Sequence, residues 1–172
     1  MEIWYTLIQG KCLETYLIIY LTIYVMERDN FIYKTHINFS IVSHEIDPDS
    51  ITKELNIVPE RTFRKGEQTV SKHSGSIITN PHNLWSIGSK SSELEEETIS
   101  HHIEYFKSIF LSKAEVLKKL KEDARFEVSF WVWIETDNAG IGLDLDEAEM
   151  SFLNSISNRV HFSLIAKAED NY

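Results

Sequence analysis

From Phe31 to Ser43 the chain alternates. Tyr33, Thr35, Ile37, Phe39 and Ile41 fall on one side, and Lys34, His36, Asn38 and Ser40 on the other. A period of two is that of a strand with one buried face. Asp47-Pro48 then supplies an N-cap and a proline at the first helical position. The short helix that follows runs to about Leu55 with Ile51 and Leu55 on one face, and Asn56 can end it in a left-handed conformation. Pro59 to about Asn83 is poor in apolar residues and reads as one long connection. Leu84 to Gly88 reads as a short strand.

The period then lengthens. Ser92-Glu93-Leu94-Glu95 is a capping-box pattern, and Ile99, Ile103, Phe106 and Phe110 form a helical stripe behind it. Ser112-Lys113-Ala114-Glu115 repeats the pattern, which predicts a break and a second helix carrying Val116, Leu117 and Leu120. Arg125 to Glu135 returns to alternation. Phe126, Val128, Phe130, Val132 and Ile134 face the core, and Trp131 and Trp133 face away. Asp137 to Gly140 reads as a turn, with Gly142 to Leu145 as the partner strand of a hairpin. Asp144 or Asp146 can cap a helix carrying Ala148, Phe152 and Ile156, with Asn158 at its end. Val160, Phe162, Leu164 and Ala166 complete a final strand. Strands with one polar face imply helices on the other. The expected fold is α+β: a ferredoxin-like sandwich, a mainly antiparallel sheet with helices on one face.

Composition narrows the function. The chain has 172 residues and a net charge of -10, an acidity that opposes binding to nucleic acid, because phosphate neutralisation drives that binding. Cys12 is the only cysteine; it excludes an internal disulfide and a cysteine-based zinc site, and it suits a reducing cytoplasm. The apolar run Tyr16 to Met26 is shorter than the roughly 20 residues a spanning helix needs, and its Tyr and Ile content suits a strand better. Met26 opens a segment that reads as an ordinary start. Met1 to Val25 is therefore expected to be an upstream extension, with a loosely attached strand as the other reading. A single domain is expected from Met26 onward.

Against this acidity, Pro59 to Glu67 gathers Arg61, Arg64 and Lys65 on one turn, with Lys72 and His73 downstream. Guanidinium forks suit phosphate or carboxylate, and Gly66 would let backbone approach a ligand. Equally, Arg61 could pair with Glu60, Glu67 or a helix carboxylate and pin the loop. Trp131 and Trp133 lie either under a covering segment or on a binding surface, and a ring could stack there with Trp85 nearby. The candidate ligand residues are thus Arg61, Arg64, Lys65, Trp85, Trp131 and Trp133. His101 and His102 are adjacent on a helix and diverge, and no His-Glu-x-x-His or Cys set accompanies His73 and His82, so no metal is expected. Asp144, Asp146 and Glu147 lack the spacing of a calcium loop. No nucleophile–base frame emerges, so no catalytic residues and no cofactor are assigned.

Several motifs together resemble a known family. They are Asp47 to Leu55 (DPDSITKEL), Asn56-Ile57-Val58-Pro59, Arg61-Thr62, Lys65-Gly66-Glu67, Leu84-Trp85-Ser86, the helix around His101, His102 and Phe106, and Gly140 to Leu143. They are similar to the bacterial family called domain of unknown function 4279, from about Phe31 to the C-terminus. The resemblance implies one small α+β domain and a start near Met26; the family offers no established activity to transfer. The expected function is a non-enzymatic, acidic interaction protein, an inhibitor or immunity-type binder of a basic protein. The alternative is a module that binds a nucleotide-like anion with the basic turn and an aromatic wall.

Overall fold

In a computed structural model, residues 32–71, 74–89, 98–136 and 142–166 are described. The alternating segment is strand β1, Ile32–Ser43. It is followed by helix α1, Pro48–Leu55, capped as expected: the Asp47 side chain accepts from the Asp49 N–H, and Asn56 sits at φ 52° in the left-handed region. The stretch expected as a plain connection contains three short strands: β2 (Arg61–Phe63), β3 (Gln68–Val70) and β4 (Ile77–Thr79). Short polar strands carry too weak a period to stand out in sequence. β5 spans Asn83–Gly88.

Helix α2, Ile99–Phe110, buries Ile99, Ile103, Phe106 and Phe110, the expected stripe. Its observed cap is Thr98; the Ser92 capping box lies outside the described residues. The chain breaks after Phe110 as expected, but by a 3-10 turn at Leu111–Lys113, and no side chain caps helix α3, Ala114–Glu122. α3 buries Leu117 and Leu120. Strand β6, Phe126–Thr136, precedes helix α4, Glu147–Ile156, whose Asp146–Glu149 capping box is complete, and strand β7, Arg159–Ala166.

Two expectations change here. Gly142 to Leu145 is not a strand. β6 pairs with β1 on one side and β7 on the other, so it has no edge left for a hairpin partner; Leu143 and Leu145 pack against the core instead. On α4 Ile156 is buried and Phe152 packs against the core as expected, but Ala148 is exposed, and Glu149 and Leu153 are buried beside them. Ser157 rather than Asn158 ends this helix, and Asn158 bonds Val128 N–H and Lys121 C=O across the sheet end.

The main sheet runs β2-β5-β1-β6-β7. Every neighbouring pair is antiparallel except β6 and β7, which are parallel. β3 and β4 form a separate two-stranded hairpin. All four described helices pack on one face of the main sheet. Phe39 is the hub of that core, with Phe110 and Phe130 ring centroids at 4.6 and 4.9 Å. Phe106 packs against Phe39, Phe110 and Phe130. No described helix is long and apolar enough to cross a membrane. The expectations for Met1 to Val25, for a start at Met26 and for the Asp137 to Gly140 turn lie outside the described residues.

Candidate functional site

In a sheet, directly paired residues share a face, so the register fixes what the outer face displays. One row crosses all five strands. Arg61 is opposite Ser86, Ser86 opposite Ser40, Ser40 opposite Ser129, and Ser129 beside Arg159. The three serines are buried between the flanking rows. Ser86 donates to the Phe39 carbonyl at 3.0 Å, so in the 3.2 Å Ser40–Ser86 contact it is Ser40 that donates.

The adjoining rows carry rings. Asn38, Trp131 and His161 align, followed by His36, Trp133 and Ser163. The four rings form one ladder: His36 to Trp133 at 6.0 Å, Trp133 to Trp131 at 5.9 Å and Trp131 to His161 at 4.1 Å, all within 18° of parallel. Trp131, in the middle of the ladder, is 37% exposed. Trp133 Nε1 and His161 Nε2 are buried without a hydrogen-bond partner among the described residues.

The basic turn divides. Arg64 is a clamp: its Nε meets Asp47 Oδ2 at 3.0 Å and its Nη2 meets Asp49 Oδ2 at 2.8 Å, both at the start of α1. Hydrogen bonding to Asp47 raises the Arg64 pKa, and Asp47 is held low by the Asp49 N–H first and Arg64 second. The Lys65 side chain is exposed while its N–H donates to Asn83 Oδ1 at 2.8 Å. Arg61 makes no salt bridge among the described residues and lies over the Phe63 ring at 5.4 Å. Its two expected acidic neighbours are occupied: Glu60 accepts from Gly88 N–H, and Glu67 from Arg64 N–H. The pinning role considered for Arg61 therefore falls to Arg64.

Trp85 stands apart. It points into the core, 0% exposed, and its indole N–H donates to Thr52 Oγ1 at 3.1 Å. Its odd position in β5 puts it on the helix side, opposite the face of Trp131 and Trp133. Arg61 shares that outer face but sits three strand spacings from β6, on the order of 14 Å. The structure thus brings Arg61, Trp131 and Trp133 to one surface without gathering them around one small ligand. Sequence reasoning missed Arg159 and His161. Their alternation in the last strand was visible, but their neighbours depend on β7 pairing with β6. Arg159 Nη1 meets Glu127 Oε1 at 3.2 Å, an exposed pair of the kind that contributes little to stability. Among the described residues no cluster of three or more His, Cys, Asp or Glu could hold a metal ion.

A family model described as domain of unknown function (DUF4279) matches residues 33–167. No curated protein and no solved structure matches the chain.

Proposed function

The chain belongs to the DUF4279 family, and we propose that it is a non-enzymatic interaction protein whose working surface is the outer face of its main sheet. The observation that carries this reading is the ladder of His36, Trp133, Trp131 and His161 on the face opposite the helices. Trp is among the side chains that most often dominate protein interfaces. The partner we propose is a basic protein, masked in the manner of an inhibitor or immunity-type protein. The net charge of -10 supports fast, salt-sensitive association, and Cys12 as the sole cysteine supports a cytoplasmic setting. The layering supports a ferredoxin-like sandwich in the broad sense of one helical layer on one sheet. Through β1, α1, β2, β5, the α2–α3 pair and β6 the main sheet follows the β-α-β-β-α-β order; the inserted β3–β4 hairpin and the added α4 and β7 depart from it.

Affinity capture from the native host, at low and moderate salt, tests the proposal. A stoichiometric basic partner is expected, retained less at moderate salt and lost with Trp131→Ala. No stoichiometric partner, or one indifferent to Trp131→Ala, would count decisively against it.

A second reading, a small anionic ligand, is favoured by Arg61, whose guanidinium has no carboxylate partner among the described residues. A thermal-shift screen with nucleotides and phosphorylated metabolites separates the two. A ligand at 100 times its Kd adds about 2.7 kcal/mol, and Arg61→Ala should abolish the shift.

A further inference from the structure

The two edges of the main sheet are built differently. β2 is three residues long and carries Arg61; short, charged edges resist pairing with another chain. β7 runs eight residues, Arg159–Ala166, and beyond Arg159 has no Lys, Asp, Glu or Pro. Among the described residues no strand pairs with its outer side. On the helix side Phe162 and Leu164 are 43% and 55% exposed, and Ile165 on the outer face is 45% exposed. Phe162 also walls a groove of about 240 Å³ with Leu145, Met150 and Leu153.

We propose that β7 pairs antiparallel with β7 of a second copy, about a twofold axis through Ser163, joining two five-stranded sheets into one. An axis normal to the sheet keeps each residue on its own face, and a twofold interface must be self-complementary. This register meets that condition: Phe162 opposes Leu164 twice, each covering the other at the mouth of the groove, and His161 opposes Ile165 on the outer face. The pattern of one apolar residue two positions from another, both exposed on one side of an edge strand, suits a second copy of this chain. The main-chain groups of β7 supply the hydrogen bonds.

Solution mass and a cysteine crosslink test this. The wild-type chain should show twice its 20.1 kDa mass, and Leu164→Lys should return it to the mass of one chain. In a Cys12→Ser background, Ser163→Cys should crosslink under mild oxidation. Cα atoms directly opposed across antiparallel strands are about 4.5–5.5 Å apart, within disulfide reach. A wild-type chain that stays at single mass up to its highest soluble concentration overturns the proposal. So does a dimer that gives no crosslink at position 163. The crosslink decides wherever Leu164→Lys unfolds or leaves the mass unchanged.

Discussion

Single side chains set several measurable properties. Arg125 grips Asp123 through its Nε and Nη2, and that hydrogen bonding lowers the Asp123 pKa from 3.8 to about 2. A depressed carboxylate stabilises the fold above its unfolded pKa and loses that contribution as pH falls through the folded value. The melting-temperature gap between wild type and Asp123→Asn should therefore hold steady above pH 3.8 and close toward pH 2. A gap that widens on acidification would refute this account. Gly88 is a second case. A Cβ there would meet Glu60 Oε2 at 2.6 Å and Asn38 Oδ1 at 2.9 Å. Both are side-chain ends that can move, so Gly88→Ala should fold, at a cost of about 1 kcal/mol for the displaced Glu60–Gly88 hydrogen bond. Urea unfolding measures it; a loss several times larger would mean that β5 itself had shifted. Asp123 beside Arg125 is plain in the sequence. The crowding of Gly88 by Glu60, 28 residues away, is not.

Among elements, the junction of α1 with the basic turn is the most informative. Asp47 caps the helix and also receives Arg64. Asp47→Ala should cost about 1 kcal/mol for the cap. In a double-mutant cycle with Arg64→Ala the coupling should stay below about 1 kcal/mol, because both groups are exposed. Chemical denaturation of the four variants checks both figures; a coupling of several kcal/mol would show the turn and the helix acting as one rigid unit. The cap was legible because Asp-Pro acts within a few residues. For Arg61 the sequence leaves clamp and anion ligand both open, because it cannot tell which of two arginines three positions apart reaches a helix 15 to 17 residues back. Strand alternation decides it: Arg61 follows β2 onto the outer face, and Arg64 lies past its end.

For the molecule as a whole, the division between faces is the organising fact. Phe106→Ala should cost about 3–5 kcal/mol because it empties part of the ring cluster around Phe39. Trp131→Ala, on the opposite face, should cost about 0.2–1 kcal/mol for its cross-strand pairing. Circular dichroism melts of the two variants give the contrast directly. A Trp131→Ala protein as unstable as Phe106→Ala would mean that the ladder is structural, and would remove it as a binding surface. Strands β1, β5, β6 and β7, the cap of α1 and the inward stripes of α2 and α3 are legible from the residues alone, because periodicity and capping act over a few residues; the α4 cap is narrowed to Asp144 or Asp146. The sequence also determined that Trp131 and Trp133 face away from the core. That Trp85 faces the other way, that β6 takes β7 rather than a hairpin as its neighbour, and that Arg159 and His161 join the outer face emerge only in the folded sheet. Those facts follow from strand order and register, which are settled by packing between residues far apart in the chain.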